Sequence, residues 1–412
     1  MKYLVLQKCK INAYTRKSVN ESVTMEQIDE KSFIVTKGAT EISIGRNKLN
    51  SVTYNISEWD NILNRFILQG FVPIDNKKRK EKEIVKKTDF YIPDKTFEPI
   101  LSRFVQLNDE YFEEEYSSKI KLMNPKNLKK AQDILIYLMS NSDLSIKEFN
   151  DNLLEMWTII PRRQNNLYGK IAHDKKDYQN ILTEEQTKLD ILANALKSKK
   201  DIVETTDFLK FNGISEYHVE DKAEIEFIKD LMTDKKDLYS QAWNVVNDKK
   251  ESDMLNFLSN NNLDESAISY LWHGTLESNI WSIMENGLYL NPELIKSDVR
   301  ICGKAFGYGL YFAPYIYKSM AYTQSCFGDG RHANNKSYIL LFKVATGNPY
   351  YIYKEGGKRP NTWSDFHKDH PDRHCCWAES GQGDFRLRWD EVIVYQECQA
   401  SLAYIVELNS AS

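Results

Sequence analysis

Leu271-Trp272-His273-Gly274-Thr275, Phe306-Gly307-Tyr308-Gly309-Leu310-Tyr311-Phe312-Ala313 and Trp389-Asp390-Glu391-Val392-Ile393-Val394-Tyr395 decide how this 412-residue chain is read. The first stretch closes a β-prone run, Ser269 to Trp272, and is followed by Asn279 and a helix that Gly287 ends. The second is a Gly-aromatic turn leading into Tyr-Phe-Ala, with Lys318-Ser319-Met320-Ala321-Tyr322 just beyond it. The third starts on two acids and continues as an apolar strand, Glu391 to Tyr395. Another strand is expected over Tyr338 to Val344. Loops rich in Gly and aromatics join these strands. The run from Gly347 to Asp384 is long and mostly without periodicity, a length usually reserved for functional or mobile segments.

Upstream the texture is different. Residues 95–200 have helical periodicity. Asn124 is placed to cap a helix with Pro125 at its first position, and Leu128, Ala131, Leu135 and Leu138 share one face. A second helix carries Phe149, Leu153, Trp157 and Ile160 and stops at Pro161. A third is expected to begin at a Thr183/Gln186 capping box and to carry Leu189, Leu192 and Leu196. Residues 1–90 are strand-like at Tyr3 to Ile11, Ser32 to Thr36 and Glu41 to Ile44, with Gly38 and Gly45 as turn residues. A helix from Trp59 to Leu68, stopped by Gly70, and a Lys/Glu-rich linker from Asn76 to Asp89 follow.

The chain is 42% apolar and 28% charged with a net charge of −4. Residues 1–90 hold 17 Lys and Arg against 11 Asp and Glu, a net of +6, so the remainder carries −10. That asymmetry points to a polyanionic partner for the front segment only, although part of it lies in the solvated run Lys77-Lys78-Arg79-Lys80. No apolar run is long enough to span a membrane, and Tyr3-Leu4-Val5-Leu6 is too short for a signal peptide. Six scattered cysteines with no CxxC pair are expected to be free thiols in a reducing, intracellular compartment. His367, His370, His374, Cys375 and Cys376 form H-x2-H-x3-H-C-C. Adjacent cysteines rarely ligate one tetrahedral ion, so no metal is expected there.

Together the three stretches resemble the His-Tyr-Glu triad of the poly(ADP-ribose) polymerase catalytic domain. His-Gly after a strand, Gly-aromatic-Tyr-Phe, Lys-Ser-x-x-Tyr and acid-Glu-x-Ile-Val-Tyr occur in the family's order. Singly, His273 reads as a core histidine, Tyr311 and Phe312 as sheet aromatics, and Glu391 as a strand-start carboxylate. Three ordered coincidences make the joint reading strong. The resemblance implies NAD as substrate. His273, Tyr311 and Glu391 would be catalytic, and His273, Gly274, Thr275, Asn279, Tyr311, Phe312, Ala313, Lys318, Ser319, Tyr322 and Glu391 would line the NAD site. Tyr311 and Tyr322 would sandwich the cationic nicotinamide. Gly274 and Ser319 would hold its carboxamide, and His273 the adenosine ribose. Glu391 would stabilise the oxocarbenium charge that bond breaking develops.

The same resemblance divides the chain into a WGR-like basic domain (1–90), a helical regulatory domain (95–200) and an ADP-ribosyltransferase domain (201–412). It gives a multidomain α+β protein: a β-rich front, an all-α bundle, and a catalytic domain of two packed antiparallel sheets. The implied partners are NAD, protein acceptors including the chain itself, and nicked or broken DNA at residues 1–90; no membrane is implied. Several positions depart from the family. The Trp-Gly-Arg signature is reduced to Gly45-Arg46. Ala193 stands for an acid of the last regulatory helix, with Asp190 one turn earlier. Tyr308 replaces a lysine, and Tyr289 replaces an arginine that meets adenine. A mono-ADP-ribosyltransferase and a catalytically weak DNA-binding sensor are the rival readings.

Overall fold

The computed structural model describes residues 2–11, 18–39, 50–69, 71–74, 94–116, 125–162, 167–197, 213–295, 304–323, 336–355, 360, 363–382 and 387–409. The chain divides into two compact units, Met1–Glu81 with Glu110–Leu196, and Lys82–Asp109 with Lys197–Ser412.

The first unit opens with β1 (Tyr3–Ile11), β2 (Ser18–Gln27), β3 (Ser32–Ala39) and β4 (Asn50–Asn55), followed by helix α1 (Trp59–Leu68) and β5 (Val72–Ile74). The sheet order is β4-β3-β2-β1-β5, antiparallel throughout. Its inner face presents Leu6, Val23, Met25, Phe33 and Val35 to Trp59, Ile62 and Phe66 of α1. Those three α1 residues are three and four apart, one stripe of a helix. The expected strand at Glu41 to Ile44, Gly45-Arg46, Gly70 and the linker from Asn76 to Asp89 lie outside the described residues.

Helix α2 (Glu98–Glu115) is followed by α3 (Pro125–Ser140), α4 (Ile146–Ile159) and α5 (Asp177–Leu196). The predicted apolar faces meet in one core that includes Ala131, Leu135, Leu138, Phe149, Leu153, Trp157, Ile160, Leu189, Leu192 and Leu196, with Leu128 at its edge. Phe149 stacks on Tyr178 with ring centroids 3.9 Å apart. Asn124 lies outside the described residues. One expectation is corrected: α5 begins at Asp177, and Thr183 sits inside it with its hydroxyl bonded to the Gln179 carbonyl. The operative start signal is Asp174, whose side chain accepts the Lys176 amide and whose carbonyl accepts the Asp177 amide. Asp190 accepts from Gln186 Nε2 at 2.9 Å, and Ala193 is buried.

The second unit contains β6 (Ile214–His218), α6 (Lys222–Leu231), β7 (Tyr239–Asn247), α7 (Asp248–Asn260), β8 (Ile268–His273), α8 (Glu277–Asn286), β9 (Leu310–Phe312) and α9 (Ile316–Thr323). It continues through β10 (Lys336–Ala345), β11 (Pro349–Tyr351), α10 (Trp363–Asp369), β12 (Cys375–Ala378), β13 (Glu391–Val394) and β14 (Ala400–Asn409). One sheet has the order β6-β7-β14-β10-β8 and the other β11-β12-β13-β9. The first is antiparallel throughout. The second is mixed, because β11 pairs parallel with β12, which corrects the expectation of two antiparallel sheets. The segment Gly347 to Asp384, expected to lack regular structure, supplies β11, α10 and β12. Those elements are too short to show a period.

Reciprocal amide–carbonyl bonds between Trp272 and Ala313 join the two sheets. Phe312 of β9 meets Phe342 of β10 with centroids 5.5 Å apart, so side chains from both sheets share this junction. Residues 94–109 belong to this unit: Arg103 pairs with Glu277 at 2.8 Å, and Asn108 bonds the Ser278 carbonyl. No helix among the described residues is long and apolar enough to cross a membrane.

Candidate active site

The junction of the two sheets carries all three motif stretches. β8 ends on His273, whose Nδ1 lies 3.0 Å from the Tyr311 carbonyl. A carbonyl only accepts, so Nδ1 carries the hydrogen and Nε2 presents a lone pair. His273 also lies against Phe312 and Phe342, at 5.7 and 5.9 Å between centroids. Burial pushes its pKa down to about 4, the Tyr311 bond opposes this, and Lys318 and Lys304 add to the lowering.

Gly274 is required sterically. A Cβ at this position would fall 1.8 Å from the Ser319 carbonyl oxygen, so the backbone after β8 lies directly on α9. This brings Gly274 and Ser319 together, and Ser319 is buried. Asn279 Nδ2 donates to Thr275 Oγ1 at 3.1 Å, bracing the turn into α8, and Gly287 ends α8 as expected.

Tyr311 lies on β9, paired with Ile393 of β13, while its neighbour Phe312 pairs with Val392. Its hydroxyl donates to the Gly307 carbonyl at 2.8 Å and accepts the Phe306 amide at 3.1 Å. Gly307 has φ of +85°, a conformation other residues rarely adopt. The buried Tyr395 hydroxyl donates to the Phe306 carbonyl at 2.7 Å. Two tyrosines from two motifs therefore clamp one turn. Burial raises the pKa of Tyr311 well above its ordinary value, so the phenol stays protonated.

Glu391 opens β13 opposite Ala378. Lys318, from α9, places Nζ 2.6 Å from Glu391 Oε1, and both side chains are 14% exposed. Burial lowers the Lys318 pKa against the opposing effect of Glu391. The same ammonium is 5.7 Å from the Tyr311 ring centroid. Asp390 accepts the Ser380 amide at 2.8 Å, which anchors the strand start. Tyr322 lies one turn beyond Lys318 and is 51% exposed, whereas Tyr311 is part-buried.

Sequence reasoning missed the Lys318–Glu391 pairing and Lys304, which lies against Tyr308 and Tyr311. A lysine four residues before a tyrosine in a turn is a weak signal. Tyr289, expected to replace an arginine, receives Lys197 over its ring at 4.2 Å. The His/Cys cluster is taken up by packing: His370 stacks on Tyr350 at 3.7 Å, and His374 Nδ1 accepts the Asn348 amide. Cys375 and Cys376 are consecutive in β12 and therefore face opposite ways. No group of three potential metal-ligating side chains occurs among the described residues.

Residues 239–410 match the poly(ADP-ribose) polymerase catalytic domain. Over this segment the chain is similar to the poly(ADP-ribose) polymerase family. The catalytic domain is that of an NAD ADP-ribosyltransferase. A putative poly [ADP-ribose] polymerase-like protein of Invertebrate iridescent virus 6 is 28% identical over 141 residues, covering 34% of this chain and 70% of the relative. Poly [ADP-ribose] polymerase 1 of Gallus gallus is 28% identical over 156 residues, covering 34% of the chain and 14% of the relative. Poly [ADP-ribose] polymerase 2 of Caenorhabditis elegans is 28% identical over 158 residues, covering 34% and 27%. The match therefore spans a minor part of the bird and nematode polymerases.

Proposed function

We propose that the chain cleaves NAD and transfers ADP-ribose to proteins, itself included, and to growing chains, stimulated by damaged DNA bound at residues 1–90. The observation that carries this is the convergence on one sheet junction: His273 bonds the Tyr311 backbone, and Lys318 pairs with Glu391 beside the Tyr311 ring. Tyr311 and Tyr322 bracket the nicotinamide, the Gly274 backbone and Ser319 hydroxyl hold its carboxamide, and His273 Nε2 accepts a ribose hydroxyl. The bond from the ribose C1′ to the nicotinamide nitrogen breaks, and the electron pair leaves with nicotinamide. Glu391 stabilises the oxocarbenium charge. An acceptor oxygen then bonds C1′ as its proton passes to Glu391.

The basic front sheet with its single helix supports DNA binding in the manner of a WGR domain, and the bundle of residues 95–200 is read as a regulatory domain that restrains NAD entry. Ala193 in place of an acid makes that restraint weak, so some activity is expected without DNA. Transfer of a single ADP-ribose is the second reading, favoured by the buried Tyr308 standing where relatives carry a lysine.

The test is to incubate the full chain with labelled NAD, with and without nicked duplex. Nicotinamide release and a ladder of labelled chain are expected. DNA should increase both, with an effect that falls steeply as salt is added, because lysines and arginines displace counterions from phosphate. No nicotinamide release even with DNA would contradict the proposal, and a single labelled step in place of the ladder would select the second reading.

A further inference from the structure

Two ammonium groups approach the Tyr311 ring. Lys318 comes to 5.7 Å of the centroid and ends on Glu391. Lys304 comes to 5.8 Å from that ring and 4.4 Å from the Tyr308 ring, with Nζ 3.3 Å from the Gly309 carbonyl oxygen. Tyr308 is a fixed platform. It is 3% exposed, and its hydroxyl accepts the Asn291 amide at 2.7 Å, so the ring cannot swing out. Lys304 also bears on His273, helping to lower its affinity for a proton. The ammonium therefore sits within electrostatic reach of the imidazole as well as of the Tyr311 ring.

The faces of aromatic rings hold a cation loosely, whereas a phosphate oxygen offers a charge-assisted hydrogen bond. A half-buried lysine on a rigid aromatic shelf has a flexible stem and can exchange one contact for the other. The anion that the proposed substrate brings to this site is its diphosphate. We propose that Lys304, seated on Tyr308, binds the diphosphate of an ADP-ribosyl group at this site. This rests on the reading of the site as an NAD site. The diphosphate belongs either to NAD or to the terminal unit of a growing chain, and the chemistry of recognition is the same for both.

The full chain is compared with Lys304→Met, which keeps the stem and removes the charge, and with Lys304→Arg, which restores it. Benzamide, a nicotinamide mimic without phosphate, reports whether the pocket is intact. Lys304→Met should bind benzamide as the parent does. Its KM for NAD in nicotinamide release should rise roughly 10- to 100-fold, the worth of a charge-assisted bond, with kcat little changed and with recovery in Lys304→Arg. If KM is unchanged and only the chains made at saturating NAD shorten, the diphosphate is that of the chain end. Unaltered KM and chain length in Lys304→Met would overturn the proposal. So would a loss of benzamide binding in step with NAD binding, which marks a structural role. A parent chain that binds no benzamide and releases no nicotinamide would overturn the reading of the site itself.

Discussion

Burial and one carbonyl set the charge of His273. Its pKa falls from 6.5 to about 4, so the ring is neutral near physiological pH and its hydrogen is held on Nδ1 by Tyr311. The folded value lies below the unfolded one. Between the two, the unfolded chain takes up a proton that the folded chain does not, so this contribution to stability is complete above 6.5 and is lost as pH falls towards about 4. The KM for NAD is expected to show no His273 titration between about pH 6 and 8. A break in KM near 6.5 that disappears in His273→Gln would contradict the lowered pKa of the buried ring. Single residues of this site were legible because the motifs carry them in order. What they touch was not: Lys318 reaches Glu391 only because β9 and β13 pair and α9 follows β9, and Tyr395 serves Tyr311 through a hydrogen bond to Phe306.

Elements were legible where a period or a punctuating residue was long enough to read. The helix Trp59–Leu68 and the strand Tyr3–Ile11 have the expected bounds, and α4 ends just before Pro161. The start of α5 was missed because Thr183 and Gln186 mimic a capping box, while the true start uses Asp174. β2 was missed because its sequence is mostly polar; among its described side chains, burial of Val23 and Met25 decides its face. The bundle also hides a charge that periodicity cannot show. Arg162, buried beside the Tyr116 ring at 4.6 Å, pairs with Glu185, which also accepts Trp157 Nε1 at 3.0 Å. Replacing Glu185 by Ala leaves the buried guanidinium with the longer Glu115 contact at 3.9 Å and without its hydrogen-bonded partner, and is expected to cost about 3–5 kcal/mol. Denaturant unfolding of the full chain measures this, and a loss under about 1 kcal/mol, the worth of an exposed pair, would contradict a buried network.

At the scale of the whole molecule, charge and chemistry are separated along the chain. Residues 1–90 carry +6 and the remainder, which contains the candidate site, carries −10; the asymmetry is what supports the proposal of a polyanionic partner for the front segment. The family match covers residues 239–410, so the dependence of transfer on the front segment and the bundle is a matter for experiment. In the proposed reaction, transfer rests on one carboxylate. Glu391→Gln keeps the shape of the side chain and removes its charge, so benzamide should bind as tightly as to the parent chain while ADP-ribose incorporation from labelled NAD falls by two or more orders of magnitude, roughly the worth of a lost electrostatic contact to a developing charge. Incorporation at the parent rate by a Glu391→Gln chain that binds benzamide would contradict the central role given to this residue.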